Sequence, residues 1–160
     1  MMVVEQCMTK RVQCVRPLDS IQHARELMES SRVNQLPVVI GDHLVGIVTD
    51  RDLRDAYPSV FAAARNGHHT ANDDPQKITV ETIMTPHIIS IGPKDTMIEA
   101  ARRMRQERIG ALPVLDGQKL VGIVARSDVL DVFVAMQLGD SFVSDHGTRR
   151  TAADADHLIL

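Results

Sequence analysis

The pattern of apolar and polar positions along this chain changes its period several times, and each period predicts an element. Ile21, Ala24 and Met28 recur at helical spacing after Asp19 and Ser20, either of which can cap a helix. Two short apolar runs then flank a Gly-Asp turn, which predicts a β-hairpin. The elements predicted for the first half are a helical or extended segment at 4–8, a strand at 12–15, a helix at 20–31, strands at 35–40 and 44–48, and a helix at 49–56.

The second half of the chain repeats this pattern 76 residues further on. Met8-Thr9 returns as Met84-Thr85, and Asp52 returns as Asp128 with no gap in between. The longest identical runs are Leu36-Pro37-Val38 with Leu112-Pro113-Val114, and Leu44-Val45-Gly46-Ile47-Val48 with Leu120-Val121-Gly122-Ile123-Val124. The elements predicted here are a strand at 88–91, a helix at 96–107, strands at 112–115 and 120–124, and a helix at 127–138.

This internal repeat predicts an α+β fold in which two β-α-β-β-α halves pack about a pseudo-two-fold axis. Each half is too small to bury much core alone, so the halves should pack against each other. Such packing creates two related clefts, where a ligand would bind. The predicted boundaries are 1–64 for the first repeat with its leading segment, 65–77 for a polar linker loop, 78–138 for the second repeat, and 139–160 for a C-terminal tail.

The composition narrows the classes of function. A net charge of −3 and an aromatic content of 2% argue against a nucleic-acid binder, which needs basic and often stacking surfaces. No apolar run is long enough to span a bilayer, so we expect no membrane segment. Cys7 and Cys14 form neither a CxxC motif nor a disulfide framework, which favours a cytoplasmic protein.

Catalytic and metal-ligating patterns are not apparent in the sequence. The chain has no Gly-rich phosphate loop and no Gly-x-Ser-x-Gly elbow, so we do not expect an enzyme. The pairs His68-His69 and Asp73-Asp74 lie close together, but their spacing fits no structural zinc pattern. We therefore expect no metal site and no cofactor.

The paired motifs Leu-Pro-Val and Leu-Val-Gly-Ile-Val, each followed by an aspartate, resemble a tandem pair of CBS domains, the so-called Bateman module, of the stand-alone bacterial type. The resemblance covers roughly residues 5 to 137. It implies a non-enzymatic regulatory module, often concerned with energy sensing, that binds AMP, ADP, ATP or S-adenosylmethionine between its repeats. It also implies a homodimer and a separate regulated protein, because the sequence shows no attached catalytic domain.

The first candidate site follows the motif Gly46-Ile47-Val48-Thr49-Asp50-Arg51-Asp52. The carboxylate of Asp52 can accept hydrogen bonds from both ribose hydroxyls, while Thr49 offers a hydroxyl and Arg51 a charge-assisted bond to phosphate. Thr49 and Asp52 also have the spacing of a capping box, so capping of the helix is the alternative role of this pair. The family resemblance implies that this cleft is completed across the axis by Thr85, Ile88, Ile109 and Ala111.

The second copy of this motif departs from the family pattern. Ala125 stands where the hydroxyl belongs, although Ser127 lies nearby and Asp128 could still hold a ribose. The resemblance implies that this cleft is completed by Thr9, Val12, Val33 and Gln35. We therefore expect asymmetry, with a competent cleft at Asp52 and a weaker cleft at Asp128.

The charge of the ligand and the need for one both stay open at this point. Some nucleotide-sensing relatives place an arginine at the position of Gln35 or Ala111, and neither is basic here. This favours AMP or an uncharged adenosyl ligand over a multiply charged nucleotide. Plain core packing is the other interpretation of Val12, Val33, Ile88 and Ile109. If Thr49 and Asp52 act only as a cap, the chain is a ligand-free dimerisation or scaffold module.

Overall fold

The computed structural model describes residues 1–56 and 74–139. The described elements, in chain order, are α1 (Val4–Cys7), α2 (Ile21–Ser31), β1 (Gln35–Ile40), β2 (His43–Thr49), α3 (Asp50–Ala56), a short 3-10 helix (Val80–Thr82), α4 (Met97–Glu107), β3 (Ala111–Asp116), β4 (Lys119–Ala125) and α5 (Arg126–Leu138). Helices and an antiparallel sheet in this order confirm the predicted α+β class.

The two equivalent helices α2 and α4 begin and end in the same way. Ser20 Oγ accepts a hydrogen bond from His23 N, and Thr96 Oγ1 accepts one from Glu99 N, at 3.1 and 3.2 Å. Each bond satisfies an amide that has no partner inside the helix. Each helix ends at an arginine in the left-handed conformation, with φ of 53° at Arg32 and 56° at Arg108. The predicted positions of both helices are confirmed.

The four strands form one antiparallel sheet in the order β1-β2-β4-β3. Each hairpin has the same register, with Gln35 opposite Thr49 in the first and Ala111 opposite Ala125 in the second. The two hairpins meet only where their turns touch, at the pair His43–Lys119. An ion pair of 3.4 Å between Asp42 and Lys119 lies at the same place. The predicted hairpins are confirmed, and their turns join the repeats into one sheet.

The prediction of strands at 12–15 and 88–91 is wrong, because each stretch forms only a single parallel bridge. Val15 N bonds to Pro37 O, and Val39 N bonds to Val15 O. Ile91 makes the equivalent bridge to Val114. The residues just before Val15 line an open cleft instead of pairing. A proline two residues after each bridge lacks the N–H that continued pairing would need.

Each hydrophobic core is completed by a segment from the other half of the chain. The core of the second repeat contains Val4, Cys7 and Met8, and the core of the first contains Val80. Backbone bonds hold each segment in place, such as Val4 N to Asp95 O at 2.8 Å and Val80 N to Asp19 O at 2.8 Å. We call residues 2–9 and 78–85 the exchanged segments.

The exchanged segments also supply the pseudo-two-fold contacts between the repeats. Thr9 forms an antiparallel bridge with Ile123 of β4, and Thr85 forms the same bridge with Ile47 of β2. The backbone hydrogen bonds of both bridges have N···O distances between 2.8 and 3.0 Å. Thr85 and Thr9 are 76 residues apart, and so are Ile123 and Ile47. The predicted pairing of the halves about an approximate two-fold axis is therefore confirmed.

Several expectations fall on parts of the chain that the structure does not describe. The predicted linker at 65–77 overlaps residues 57–73, and the predicted tail at 139–160 overlaps residues 140–160. The pair His68-His69 and Asp73 also lie outside the described residues. Among the helices within 1–56 and 74–139, none has the length and apolar character needed to cross a membrane.

Candidate functional site

A large cleft opens between the two repeats at the start of α5. It has a volume of about 850 Å³ and is lined by both polar and apolar side chains. All six residues of the second candidate set line it, namely Thr9, Val12, Val33, Gln35, Ser127 and Asp128. The structure therefore brings together, in one cavity, residues that are separated by more than a hundred positions in the sequence.

Three separate parts of the fold position these residues. Thr9 is held by its bridge to β4, and Val12 lies in the unpaired stretch that follows. The left-handed residue Arg32 ends α2 and turns the chain so that Val33 and Gln35 face the cleft as β1 begins. Asp128 lies in the first turn of α5. The cleft thus depends on segments from both repeats.

Asp128 is the buried acidic group of this cleft, with 7% of its surface exposed. Its Oδ2 accepts a hydrogen bond from Ala125 N at 2.7 Å, which caps α5. Ala125 has no hydroxyl, so no side chain at that position bonds to the carboxylate. The carboxylate lines the cleft, where its oxygens can accept hydrogen bonds from the hydroxyl groups of a ligand.

Arginine side chains give the rim of the cleft a positive charge. Arg11, Arg32 and Arg126 all line it, and all three are exposed. Arg126 Nε donates to Ile109 O at 3.3 Å. Within residues 1–56 and 74–139, none of the three forms an ion pair. Guanidinium groups without a carboxylate partner beside a cavity are suited to binding a phosphate or another anion.

These arginines were missed by the sequence-based reasoning, which considered Arg51 and the positions of Gln35 and Ala111 for a phosphate ligand. Each of the three directly adjoins a residue of the predicted second set, because Arg11 precedes Val12, Arg32 precedes Val33, and Arg126 precedes Ser127. Proximity in sequence to the predicted site was therefore a usable signal. The argument that the site lacks positive charge does not hold for this cleft.

The residues of the first candidate set are arranged differently. Asp52 Oδ2 accepts hydrogen bonds from Thr49 N at 2.8 Å and Thr49 Oγ1 at 2.7 Å, and Asp52 N donates to Thr49 Oγ1 at 3.2 Å. The pair therefore forms the capping interaction that the spacing allowed. Arg51 is exposed and lies 3.8 Å from Asp55, with which it forms an ion pair.

The remaining members of the first set lie near this pair or in the core. Thr85 bridges Ile47, two residues before Thr49. Ile109 packs against the second core, in agreement with the core interpretation, and Ile88 is half-buried. Ala111 is buried at the start of β3 and lines the Asp128 cleft, which makes it the one member of the first set to do so.

Neither Cys7 nor Cys14 forms a disulfide bond. Burial raises the pKa of the Cys7 thiol, and the negative charge of Asp128 raises that pKa further. Burial also raises the pKa of Cys14. Both effects favour the neutral thiol, which is a weaker nucleophile and metal ligand than the thiolate. Among the described residues, no three histidine, cysteine, aspartate or glutamate side chains are grouped so that they could hold a metal ion.

Known proteins with the same repeats are similar to this chain in both sequence and structure. A CBS domain-containing protein of Dictyostelium discoideum is 35% identical over 137 residues, which span 82% of this chain and 91% of that protein. The inosine-5'-monophosphate dehydrogenase of Korarchaeum cryptofilum is 37% identical over 116 residues. That match spans 72% of this chain but only 21% of the enzyme. Such repeats therefore occur both in small CBS proteins and as part of larger enzymes.

Two solved structures with the same fold contain adenosine compounds. The structure of CBSX2 in complex with AMP has a TM-score of 0.69 and 29% identity, covering 87% of this chain and 99% of that one. The CBS domain pair of protein MJ0100, in complex with 5'-methylthioadenosine and S-adenosyl-L-methionine, has a TM-score of 0.64 and 28% identity. That match covers 82% of this chain and 99% of the other.

The family assignment follows from where the repeats match. The CBS domain family matches this chain twice, over residues 4–59 and 80–135, which together make up most of its length. The matched stretches contain both hairpins, most of each exchanged segment and both motif aspartates, Asp52 and Asp128. This chain belongs to the CBS domain family and carries two CBS domains in tandem.

Proposed function

We propose that this protein is a regulatory module that binds an adenosine-containing ligand in the Asp128 cleft, with AMP as the first candidate. It acts as a homodimer in the cytoplasm and passes the signal to a separate regulated protein. The observation that carries this proposal is the combination of one buried carboxylate and three arginines around a cavity of about 850 Å³. The AMP complex of CBSX2 and the methylthioadenosine complex of protein MJ0100 support the ligand class.

The chemistry of the cleft matches the parts of a nucleoside monophosphate. The carboxylate of Asp128 can accept hydrogen bonds from the ribose hydroxyls, which are charge-assisted and worth about 1.5–3 kcal/mol each. The guanidinium groups of Arg11, Arg32 and Arg126 can bind the phosphate. Val12 and Val33 offer an apolar surface for the adenine ring. The volume lies within the range of about 300–1,000 Å³ that is usual for small-molecule sites.

This proposal reverses the order of the two sites that the sequence favoured. At the first site, the Thr49 hydroxyl and amide already occupy one oxygen of Asp52. At the second site, Ala125 N donates a hydrogen bond to Asp128 Oδ2, and alanine has no hydroxyl group. The alanine that departs from the motif therefore contributes no hydroxyl group that would compete with a ligand for Asp128.

Thermal unfolding of the purified protein with AMP, adenosine and S-adenosylmethionine tests the proposal. AMP at about 100 times its dissociation constant should add roughly 2.7 kcal/mol of stability, which corresponds to a rise in Tm of about 5–10 °C. Adenosine should give a smaller rise, because it lacks the phosphate. Asp128→Asn should remove the AMP effect, and Arg32→Gln should weaken it.

The matched control is Asp52→Asn, the same change at the equivalent position of the other repeat. It should leave the AMP effect in place, although it should lower the Tm of the free protein by loss of a cap. If Asp52→Asn abolished the effect and Asp128→Asn did not, the ligand would belong in the first cleft. No shift with any of the three compounds would contradict ligand binding.

A ligand-free scaffold is the second candidate function. The reciprocal bonds between Thr49 and Asp52 favour it, because they account for both residues without a ligand. A folded dimer whose Tm responds to none of the three compounds would support this alternative.

A further inference from the structure

Arg126, the first residue of α5, lies between two cavities. One is the Asp128 cleft. The other is a groove of about 450 Å³ that residues of α4 and α5 line, among them Arg105 and Arg108, and we call it the α4–α5 groove. Among the residues that the structure describes, Arg126 is the one that lines both the cleft and this groove. A movement of its guanidinium group would therefore alter both surfaces.

The side chain of Arg126 joins the start of α5 to the end of α4. Its Nε donates a hydrogen bond to Ile109 O at 3.3 Å, and its backbone N donates one to Gly110 O at 3.0 Å. Ile109 directly follows the left-handed residue Arg108, at which α4 ends. A cation is favourable here, because the last carbonyl groups of a helix carry a partial negative charge. The guanidinium group therefore stabilises the junction between the two helices.

The side-chain bond is the weaker of the two links. Its length of 3.3 Å exceeds the usual range of about 2.7–3.2 Å for N–H···O hydrogen bonds, and it lies at the exposed surface. The backbone bond to Gly110 keeps the main chain of Arg126 in place. The guanidinium group can therefore change its acceptor while the start of α5 stays where it is.

A phosphate group in the Asp128 cleft would compete with Ile109 O for this guanidinium. A carbonyl oxygen is neutral, whereas a phosphate is a charged acceptor that can bind a guanidinium through two parallel hydrogen bonds. Such charge-assisted bonds are roughly twice as strong as bonds between neutral groups. A phosphate-containing ligand therefore favours movement of the Arg126 side chain away from α4 and into the cleft.

The equivalent position of the first repeat cannot form this link. Asp50 stands where the second repeat has Arg126, and Arg54 Nη1 lies 2.8 Å from Asp50 Oδ2 within α3. A carboxylate accepts hydrogen bonds and does not donate them, so Asp50 cannot bond through its side chain to the carbonyl of Val33, which corresponds to Ile109. The side-chain link is therefore a property of the second repeat, which also carries the Asp128 cleft.

We propose that Arg126 transmits the occupancy of the Asp128 cleft to the α4–α5 groove. In the ligand-free protein, its guanidinium group ties the end of α4 to the start of α5. When a phosphate group enters the cleft, the guanidinium moves to it and the bond to Ile109 O breaks. One of the three arginines that line the α4–α5 groove then leaves it. This inference rests on the proposed function and names the residue through which the ligand regulates another surface.

Nuclear magnetic resonance of the ¹⁵N-labelled full chain tests this with AMP and adenosine, which differ only in the phosphate group. The Nε–H signal of Arg126, identified by its absence from Arg126→Lys, should shift with AMP and not with adenosine. The amide protons of Arg108 and Ile109 should exchange with deuterium about threefold or more faster with AMP, because the end of α4 is released from α5. Adenosine should leave their exchange unchanged.

Arg126→Met separates transmission from binding, because it keeps the aliphatic stem and removes the charge and the donors. Arg11, Arg32 and Asp128 still line the cleft, so AMP should bind more weakly but still raise the Tm at high concentration. Exchange at Arg108 and at the residue after it should be fast without ligand and insensitive to AMP.

The matched control is Arg32→Met, which removes an arginine that lines the cleft but not the α4–α5 groove. It should also weaken AMP binding, yet at saturating AMP it should keep the faster exchange at Arg108 and Ile109. Circular dichroism should show that both variants are folded.

An AMP-dependent exchange that persisted in Arg126→Met, or that adenosine produced equally, would overturn the inference. A native protein whose Tm rose with AMP while exchange at Arg108 and Ile109 stayed constant would also overturn it, and the proposed function would stand. If AMP changed neither the Tm nor the exchange, both the inference and the proposed function would fail.

Discussion

At the scale of single residues, two glycines allow the exchanged segments to approach the sheet. A Cβ atom at Gly122 would collide with Met8 Sδ and would lie 3.1 Å from the carbonyl oxygen of Thr9. A Cβ atom at Gly46 would lie 2.6 Å from Met84 Sδ. A methionine side chain can move, but the Thr9 backbone is fixed by its bridge to Ile123. Glycine at these two positions is therefore needed for the exchanged segments to pack against β2 and β4.

Replacing Gly122 with alanine should destabilise the protein for this reason. Overpacking of this kind costs about 1–3 kcal/mol. Urea unfolding followed by circular dichroism would measure the change in the free energy of unfolding. Gly110→Ala is the matched control, because a Cβ atom there would meet nothing within 4 Å. Equal effects of the two substitutions would contradict the packing explanation.

Single residues also mark the limit of prediction from this sequence. The six residues of the second candidate set, which include Asp128, could be named in advance because the repeat and the family motif indicate them. The arginines around them were not named, because Arg11 and Arg32 lie outside the motif, Arg126 occupies a position in it to which no role was assigned, and all three meet at the cleft only after the chain folds. The bonds between Thr49 and Asp52 were foreseeable from their spacing, since they are local.

At the scale of elements, the exchanged segments connect each repeat to the other. Val4 and Val80 are both fully buried, and each lies in the core of the opposite repeat. Both follow the same pattern of backbone bonds to the turn before a long helix. Neither segment forms more than one short turn of helix, so tertiary packing and not helix propensity holds it in place.

Val4→Ala and Val80→Ala should therefore have similar effects on stability. Each removes two buried methyl groups and leaves a small cavity, which costs about 2 kcal/mol. Chemical unfolding should give one cooperative transition for both variants. Ile40→Ala is the control, since Ile40 is 60% exposed and its truncation should cost less although it removes more atoms. A loss confined to one repeat, visible as a second transition, would contradict this expectation.

The elements differ in how well the sequence predicted them, and the difference follows from the range of their interactions. The helices α2 and α4 and both hairpins depend on local caps, turns and periodicity, and their positions were predicted. The strands expected at 12–15 and 88–91 depend on partners elsewhere in the chain. Val12 lines the cleft instead of continuing the sheet, and Ile89 packs against the core of the second repeat.

At the scale of the whole molecule, the repeat produces two similar halves that are not chemically equivalent. Arg126 replaces Asp50 and Ala125 replaces Thr49 at the start of the last helix of each half. Arg126 lines both the ligand cleft and the α4–α5 groove. A sequence comparison of the halves reveals these replacements. Only the fold shows that Arg126 lies both at the ligand cleft and between α4 and α5.

The exchange of segments has a consequence for how the chain can be divided. Because each core includes a piece from the other half, a protein cut between its halves should behave as a split protein that stays assembled. A protease site inserted within residues 65–73 provides the cut. After cleavage, both fragments should elute together from a gel-filtration column and separate only in denaturant. Fragments that separated in native buffer would show that each half folds independently. The exchange of segments between the two cores should prevent this.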